Sequence, residues 1–399
     1  MPQATPRGIT FINSTLSLPV VGESATSLRV LGSRISALGC DPQPADLVID
    51  LRGERLLPGL INAHDHLQLN SFPQLEYQHH YRNVREWIAE INVRLHSDRT
   101  FQSVAGVPRE HRLLHGGLKN LLSGVTTVAH HDPLYATLSG APFPIRVVTQ
   151  YGWSHSLGVD GETQVRRSYE STPAGWPWII HAAEGLDAEA MSEFAGLDSL
   201  NCIAGNTLIV HGVALGREQR ERLVEAHAGL IWCPTSNLRL FGQTAHVADV
   251  VACGRAALGS DSRLSGAGDL LGELRVARDI GSLDDASLES LVTESSARLL
   301  RIPDRGVLRV GALADLLVLP PSLALASAVR ADVRMVMIGG CMRYGDLDHA
   351  RAIAPPSQWL ELKVDGRQKV LDRRLAESLL RAAVHEPGLE LPESAWRAA

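Results

Sequence analysis

The middle of the chain alternates between short, continuous apolar runs and longer stretches with a helical pattern. Continuous apolar runs are typical of parallel strands that are buried on both faces. Seven such segments follow one another: LLPGLIN, GVTTVAHHD, IRVVTQYG, WIIHAAEG, TLIVHG, GLIWCPTS and AALGSDS. Strand–helix alternation over roughly 250 residues predicts an α/β fold, specifically a (β/α)8 TIM barrel.

The two flanks of this region show a different pattern, in which apolar and polar positions alternate and glycines interrupt them. ITFINSTLSL on the N-terminal side and DVRMVMIGGCMRYG on the C-terminal side are examples, and such alternation is typical of half-exposed strands. We therefore predict a small β-sandwich made from residues 1–56 and 305–350, and a barrel over residues 57–304. Residues 351–399, which contain LDRRLAESLLRAAV, are predicted to form a helical tail.

Polar side chains end almost every predicted strand of the middle region. Barrel enzymes carry their chemistry at the C-terminal ends of the strands, and a purely structural explanation would need several strands to gain polar ends by chance. The sequence therefore predicts a functional site at these ends. The residues concerned are His64, His66, His130, His131, Asp132, His181, His211, Ser236, Asn237 and Asp261.

Several of these residues are of the types that bind metal ions. His64 and His66 are two positions apart in a strand, so their imidazoles project on the same side; a polar loop that happens to hold two histidines is the alternative. His181 and Asp261 could add a third nitrogen and a carboxylate oxygen. Three imidazoles and one carboxylate suit Zn²⁺ or another borderline divalent ion. Such an ion lowers the pKa of its bound water from about 15.7 towards about 7, which provides hydroxide for a hydrolysis.

A proton carrier is predicted beside the third histidine. Glu184 follows His181 by three residues in HAAEG, where it could take the proton of the attacking water and pass it to the leaving nitrogen. Alternatively, Glu184 only begins a helix, whose N-terminus favours negative charge. His211, at the end of LIVHG, could orient the water or polarise the substrate, or it could be a histidine of the core.

Taken in order, these motifs resemble the amidohydrolase superfamily over roughly residues 9–345. The segments that carry the resemblance are PGLINAHDH, GVTTVAHHD, HAAEG, LIVHG, CPTSN, LGSDS and GVLRVGALADLLVL. The resemblance implies a metal-bearing (β/α)8 barrel with a β module built from both flanks. Binuclear members bridge two metals with a carbamylated lysine of the fourth strand, but no lysine lies between Lys119 and Lys363; a carboxylate bridge is the remaining alternative. Only about 27 residues separate Trp153 from His181, so we predict that the fourth strand is short, degraded or misplaced.

The spacing of His181 and Glu184 resembles the mononuclear deaminase branch of that family. The resemblance implies one divalent metal ion, Zn²⁺ or alternatively Fe²⁺. Its implied ligands are His64, His66, His181 and Asp261. The implied catalytic residues are Glu184, His211 and Asp261, with Asp261 shuttling a proton as well as binding the metal.

Five residues are predicted to contact the substrate. Gln68 lies where relatives often have a substrate-binding glutamine, although it could simply begin a helix. His130, Trp153 and His155 follow the second and third predicted strands, and Asn237 in CPTSNLRL belongs to the segment before a substrate-contacting loop. A packing or supporting role is the alternative for each of them.

The predicted function is the hydrolytic deamination of a small nitrogen heterocycle, with release of ammonia. One alternative keeps the same site but hydrolyses a ring or linear C–N bond of an amide, imidazolone or formimino group. Another is a barrel that has lost its activity and serves as a scaffold. The sequence has no G-x-G-x-x-G opening a helix after the first strand, no G-x-x-x-x-G-K-[ST] and no G-x-S-x-G, so nucleotide-phosphate binding and serine-hydrolase chemistry have no support.

Composition narrows the expected partners and compartment. The 399 residues carry a formal charge of −6, which does not indicate nucleic-acid binding. The five cysteines are scattered without a C-x-x-C, which argues against a disulfide framework and for a reducing compartment. The first residues lack the pattern of a secretory signal, and no apolar run reaches about 18 residues. We therefore expect a cytoplasmic enzyme with a small-molecule substrate, no nucleic-acid or membrane partner and, by the family resemblance, a homo-oligomer such as a dimer.

Overall fold

The computed structural model describes residues 7–18, 25–140, 142–281 and 283–392. Its strands, in chain order, are β1 (Ile9–Ile12), β2 (Thr15–Leu16), β3 (Leu28–Leu31), β4 (Arg34–Leu38), β5 (Leu47–Asp50), β6 (Arg55–Pro58), β7 (Leu60–Asp65), β8 (Val125–His130), β9 (Arg146–Val147), β10 (Gly152–Ser154), β11 (Trp178–Ala182), β12 (Thr207–His211), β13 (Gly229–Trp232), β14 (Ala256–Leu258), β15 (Leu316–Leu319), β16 (Met335–Ile338), β17 (Cys341–Gly345), β18 (Trp359–Val364), β19 (Arg367–Asp372) and β20 (Leu389–Glu390).

The α-helices are α1 (Val84–Ser97), α2 (Arg99–Ala105), α3 (Arg109–Leu122), α4 (Leu157–Asp160), α5 (Glu162–Ser171), α6 (Ala188–Ser199), α7 (Arg217–Glu225), α8 (Pro234–Phe241), α9 (Ala248–Ala252), α10 (Leu270–Ile280), α11 (Asp285–Leu291), α12 (Glu294–Leu299), α13 (Leu347–Ile353) and α14 (Arg373–Arg381). None of the helices in the described ranges has the length and apolar character that crossing a bilayer requires.

The middle of the chain forms two parallel sheets. Strands β7, β8 and β9 make one sheet, and strands β10 to β14 make the other, in which strands that are consecutive in the chain are neighbours. Helices separate most of these strands, so the predicted α/β fold is confirmed. The hydrogen bonding between the described strands does not by itself close the two sheets into one barrel.

The two parallel sheets nevertheless share a core. One apolar cluster takes side chains from β7, β8, β11, β12, β13 and β14, including Ile61, Ala129, Ile179, Leu208, Ile231 and Ala257. The end of β14 also lies against β7, since the backbone N–H of Asp261 donates to the carbonyl of His64 at 3.1 Å. A Cβ on Gly259 would stand only 2.6 Å from the Cβ of His64. The absence of a side chain at Gly259 therefore permits the approach that brings Asp261 next to His64.

The segment IRVVTQYG departs from the predicted pattern of one strand followed by a helix. Its beginning forms β9, which pairs with β8, and the residues just after it form β10, which pairs with β11. Residues 148–151 join the two strands directly, without a helix. One continuous piece of chain therefore supplies an edge to each sheet, which explains why so few residues precede His181. Trp153 accordingly lies in the fourth parallel strand rather than at the end of the third.

The flanking strands form two further sheets. The four-stranded sheet has the order β4-β3-β1-β5, and the eight-stranded sheet has the order β2-β6-β15-β16-β17-β19-β18-β20, which combines strands from both ends of the chain. Side chains of both sheets, among them Phe11 and Val318, pack in one apolar cluster. The chain passes from the eight-stranded sheet into the first parallel strand at Pro58-Gly59.

The predicted helical tail over residues 351–399 is wrong for most of its described part. Strands β18 and β19 form an antiparallel hairpin within the eight-stranded sheet, and β20 pairs with β18. The turn is Asp365-Gly366, where both residues have positive φ, and an Asp-Gly turn of this kind is a strong hairpin signal. The helical pattern that led to the prediction is confined to α14.

Candidate active site

The C-terminal ends of the parallel strands bring the predicted metal ligands together. Ligand atoms of His64, His66 and Asp261 lie within 4.8 Å of one another, and those of His64, His181 and His211 do the same. His66 Nε2 is 3.3 Å from His181 Nε2. Asp261 Oδ1 is 3.9 Å from His64 Nε2 and 4.0 Å from His66 Nε2. All four residues predicted from the sequence as ligands are therefore in one cluster, which His211 adjoins.

Hydrogen bonds to the outer nitrogens orient two of these imidazoles. His66 Nδ1 donates to Asp132 Oδ2 at 3.0 Å. His181 Nδ1 donates to the carbonyl of His155 at 2.8 Å. Each bond leaves Nε2 directed at the centre of the cluster, as oxygen partners of metal-binding histidines generally do.

The imidazole of His64 has one nitrogen, Nε2, without a hydrogen-bond partner. His131 Nε2 donates to the carbonyl of Ser154 at 2.9 Å, so its Nδ1 accepts from His64 Nδ1 at 3.3 Å. His64 Nε2 is then unprotonated, and it is buried without a hydrogen-bond partner. A buried polar atom in this state costs free energy unless something binds it.

The donor set fits a zinc ion. Two nitrogens bonded to one tetrahedral Zn²⁺ at about 2.0–2.1 Å stand about 3.3 Å apart, which is the separation of the Nε2 atoms of His66 and His181. The orphaned His64 Nε2 and the Asp261 carboxylate complete a set of three imidazoles and one oxygen. This combination is typical of zinc and of similar borderline divalent ions.

Two residues of the site have an unusual backbone. Asp261 has a φ of 51° and His211 a φ of 73°, and non-glycine residues keep such values only where their surroundings enforce them. Around Asp261 the enforcing contacts are visible, because Oδ2 accepts hydrogen bonds from Ser236 Oγ at 2.7 Å and from Ser265 Oγ at 2.9 Å. Ser236 of α8 and Ser265 of the loop after β14 therefore hold this carboxylate in place.

Glu184 lies beside the ligand cluster as a buried acid. Its Oε1 is 3.5 Å from His211 Nε2. His211 Nδ1 donates to Asn237 Oδ1 at 2.9 Å, and Asn237 Nδ2 donates to Thr244 Oγ1 at 3.2 Å, which fixes the orientation of the amide. Burial raises the pKa of Glu184 well above its ordinary value, and the charge of Asp261 raises it further. Glu184 is thus a carboxyl group that can hold a proton next to the ligands.

A cavity of about 210 Å³ opens onto this cluster. It is lined by His66, Gln68, Leu69, Val84, Trp87, Ile88, Asp132, His155, Ser156, Val159, His181, Glu184, His211, Leu240, Asp261 and Ser262. No lysine or arginine is among these described lining residues. Gln68 Nε2 donates to Asp132 Oδ2 at 2.6 Å, which leaves Gln68 Oε1 buried without a partner.

Only two of the five predicted substrate contacts line the cavity, namely Gln68 and His155. The other three do not line the cavity, and their contact with a substrate stays a prediction. His130 is fully buried behind the wall, where its Nδ1 accepts from the backbone N–H of Leu67 at 3.3 Å.

Trp153 and Asn237 also stand behind the cavity wall. The Trp153 ring packs edge-on against His131 and His155, with ring centroids 5.6 and 4.8 Å away. The Asn237 side chain forms hydrogen bonds with His211 and Thr244. Both residues contact groups of the site, and neither lines the cavity.

Sequence reasoning assigned no role to one strand-end residue, Asp132, and missed part of the apolar wall. Asp132, which orients His66 and Gln68, had a visible signal because it ends the HHD motif after β8. Val84, Trp87 and Ile88 form part of the apolar wall, but they lie on α1, where no motif marks them. They reach the cavity because α1 begins beside Glu184.

The residue between His64 and His66, which is the last of β7, also went unnoticed. Asp65 is completely buried and forms an ion pair with Lys119 of α3 at 2.9 Å. Asn120 Nδ2 and Asn70 Nδ2 each donate to the Asp65 carboxylate at 2.8 Å. This network fixes the strand end from which His64 and His66 project.

A buried acid behind the site predicts a pH effect on stability. Burial raises the pKa of Glu273 on α10 to about 8, although backbone N–H groups of Ala267 and Thr235 donate to its oxygens. Because the pKa of Glu273 is higher in the folded state, the folded protein binds more protons than the unfolded chain between about pH 4.5 and 8. The free energy of unfolding therefore falls as the pH rises through that range. The expected contribution between pH 5 and pH 8 is on the order of 3 kcal/mol. Urea unfolding at both pH values should show a smaller loss in E273Q than in the wild type; equal losses would contradict the prediction.

Comparisons with known proteins show what the chain is similar to. Residues 174–343 match the model of the Amidohydrolase family. An 8-oxoguanine deaminase of Pseudomonas aeruginosa is 32% identical over 208 residues, which are 44% of this chain and 46% of the relative. A 5-methylthioadenosine/S-adenosylhomocysteine deaminase of Pyrococcus furiosus is 25% identical over 74% of this chain and 85% of its own.

Among solved structures, an adenosine deaminase from Xanthomonas campestris with bound zinc has the same fold. The TM-score is 0.69 at 19% identity, with 87% of this chain and 96% of the other covered. In the first three curated relatives, the matched region spans only 33% to 46% of the relative's length.

Proposed function

We propose that the chain belongs to the amidohydrolase family, whose model it matches over residues 174–343, and that it is a metal-dependent hydrolase that removes an amino group from a small nitrogen heterocycle and releases ammonia. The observation that carries this proposal is the convergence of histidine ligands and Asp261 at a cavity that Glu184 also lines. The relatives named as deaminases support the choice of an exocyclic C–N bond.

The proposed metal ligands are His64, His66, His181 and Asp261. When bound, a divalent cation lowers the pKa of water and so supplies a nucleophile near neutral pH. Zn²⁺ is the proposed ion because the donors are imidazole nitrogens and a carboxylate oxygen. The bonds from His66 to Asp132 and from His181 to a carbonyl keep these nitrogens oriented.

The proposed acid–base residue is Glu184. Its carboxylate accepts a proton from the attacking water and donates it to the departing amino nitrogen. A C–O bond forms as the C–N bond breaks, so one water is consumed and one ammonia leaves. His211, held by Asn237, presents Nε2 to this side of the cavity, where it orients the water and polarises the substrate. Asp261 contributes a metal ligand and a second acceptor for protons of the water.

The cavity supports a small, uncharged substrate. Its volume of about 210 Å³ lies below the range of roughly 300–1,000 Å³ that is usual for drug-sized ligands. Its described lining has no cationic side chain to neutralise a carboxylate or phosphate, and Val84, Trp87 and Ile88 offer an apolar wall to a planar ring. Gln68 Oε1 is a buried acceptor without a partner, and we propose that it accepts a hydrogen bond from an N–H group of the substrate.

We further propose that the two parallel sheets together form the (β/α)8 barrel over residues 57–304. Their shared apolar cluster and the contact of Asp261 with His64 support this arrangement, in which no helix separates the third and fourth strands. Residues 1–56 and 305–350 then form the flanking β-sandwich, and the hairpin of β18 and β19 extends it. A homo-oligomer, which the family resemblance implies, stays a prediction.

The proposed function is tested by metal analysis of the purified protein, followed by assays of ammonia release. The substrates are amino-substituted purines, pyrimidines, pterins and triazines, each paired with an analogue that carries an added carboxylate. We expect about one metal ion per chain, ammonia from at least one class, and slower turnover of the acidic analogue. A metal-containing protein that releases no ammonia from any class would contradict deamination and favour hydrolysis of a ring or linear amide bond.

A further inference from the structure

A buried ionic cluster lies outside the cavity, at the C-terminal segment of the chain. Its centre is Glu386, whose side chain is fully buried. The carboxylate accepts hydrogen bonds from Arg263 Nη2 at 2.7 and 2.9 Å, from His115 Nε2 at 2.8 Å and from Arg330 Nη1 at 2.7 Å. Burial opposes ionisation of Glu386, but the bond from His115 and the charge of Arg263 outweigh it and lower its pKa to about 2. Three distant parts of the chain are thus joined by one carboxylate.

Through Arg263, this cluster reaches the metal ligands. Arg263 is two residues after Asp261, and both its backbone N–H and its Nη1 donate to Asn70, at 3.0 and 3.2 Å. Asn70 Nδ2 in turn donates to Asp65 Oδ1 at 2.8 Å and to the carbonyl of His66 at 3.3 Å. A continuous series of hydrogen bonds therefore runs from Glu386 through Arg263 and Asn70 to the carbonyl of His66. Arg263 itself belongs to the loop that carries Asp261.

We propose that Glu386 is a positioning residue for the metal site. By holding Arg263, it fixes the loop over residues 259–268 and with it the carboxylate of Asp261, whose positive φ makes its position depend on that loop. The inference rests on the proposed metal site, and adds to it a contribution from a segment that lies beyond residues 174–343, the part matched by the family model.

The physical reason is the burial of Arg263, which is only 8% exposed. A buried guanidinium that loses its carboxylate is left with an uncompensated charge, which is strongly unfavourable. The loop can relieve this cost by moving Arg263 towards water. That movement would displace Asp261. It would also break the hydrogen bonds from Arg263 that position Asn70, and so weaken the contact of Asn70 with Asp65 at the end of β7.

The variant E386Q tests the proposal because glutamine keeps the size of the side chain and removes its charge. We expect the dissociation constant for Zn²⁺, measured by competition with a chelator, to rise about tenfold, the lower end of what outer partners of metal ligands contribute. Amide hydrogen exchange in peptides covering residues 259–268 should also become faster, without metal as well as with it. The double variant R263Q/E386Q should bind Zn²⁺ no more weakly than R263Q alone, because Glu386 acts through Arg263.

The matched control is D46N, at the residue before β5 of the four-stranded sheet. Asp46 is a carboxylate with a fully buried side chain that accepts two hydrogen bonds from Arg29, at 2.7 and 2.8 Å, and one from Thr10. D46N should lower the melting temperature yet leave the affinity for Zn²⁺ and the exchange of residues 259–268 unchanged.

The results separate this inference from the proposed function. Wild-type protein that binds no Zn²⁺ would contradict the proposed function. Wild-type protein that binds Zn²⁺ with an affinity that E386Q does not change would overturn only the role of Glu386, as would an equal loss of affinity in D46N. If E386Q does not fold, E386D takes its place: it keeps the charge but shortens the reach, and unchanged affinity and exchange in that variant would equally overturn the proposal.

Discussion

Replacing Glu184 with glutamine is expected to lower kcat by about 10²–10⁴-fold, the range that a positioned acid–base residue contributes, without loss of metal. Glutamine keeps the size of the side chain and one hydrogen-bonding oxygen, but it cannot carry a proton. Glu184 lies 3.5 Å from His211 Nε2 and belongs to neither group of candidate ligand atoms, so the metal content should stay as in the wild type. Ammonia release under saturating substrate gives kcat, and elemental analysis of the same sample gives the metal.

The matched control for this experiment is E289Q, on α11. Glu289 undergoes the same chemical change at a carboxylate that forms an ion pair with Arg55, at 2.9 Å. It does not line the cavity, so E289Q should retain wild-type kcat. Full activity of E184Q would remove Glu184 from the mechanism, whereas loss of metal in E184Q would identify it as a ligand instead.

The convergence of the proposed metal ligands could be predicted because parallel strands place their C-terminal ends side by side. His64, His66, His181 and Asp261 are far apart in the sequence, but each directly follows an apolar run. Once the runs are interpreted as neighbouring parallel strands, the polar ends must meet. Glu184 and His211 follow by the same reasoning, and the structure brings both to the cavity.

The residues that line the cavity were harder to predict, because a position near a strand end does not determine which way a side chain points. His130 and Asp132 are both at the end of β8, yet His130 points into the interior and Asp132 lines the cavity. The apolar wall on α1 depends on how a whole helix packs over the strand ends. No local sequence pattern in α1 predicts that packing.

Two fold predictions failed because short-range patterns compete. The helical pattern of α14 outweighed the Asp365-Gly366 turn, although the alternating residues on both sides of that turn form β18 and β19. In IRVVTQYG, continuous apolar character suggested one strand, but the chain contributes to two sheets in succession. Which sheet a strand joins is decided by tertiary contacts.

The Glu386 cluster illustrates a further limit. Charged residues such as Arg263, Arg330 and Glu386 are usually solvated on a protein surface, so a single sequence gives no reason to bury them together. Their pairing joins residues more than fifty positions apart, and only the folded structure shows it. This is why the part of the site that depends on the C-terminal segment could not be foreseen.

Removal of the metal is expected to abolish hydrolysis and to destabilise the protein. His64 Nε2 has no other partner in its buried position, and the other proposed donors face the same centre. Dialysis against a chelator should therefore reduce the rate to background, and one equivalent of Zn²⁺ per chain should restore it. At a free Zn²⁺ concentration 1,000 times the dissociation constant, binding should add about 4.1 kcal/mol to the free energy of unfolding, which calorimetric melts with and without Zn²⁺ would measure.

Histidine variants show whether this dependence arises at the proposed site. H66A removes one ligand, so it should bind Zn²⁺ far more weakly and should gain little stability when Zn²⁺ is added. H246A makes the same change at an exposed histidine after α8 and should behave as the wild type in both measurements. Hydrolysis that persists in metal-depleted protein, or a stabilisation by Zn²⁺ that H66A retains and H246A loses, would contradict the assignment. Because His66 and His246 differ in their surroundings but not in their chemistry, the comparison isolates the geometry of the strand ends as the cause of metal binding.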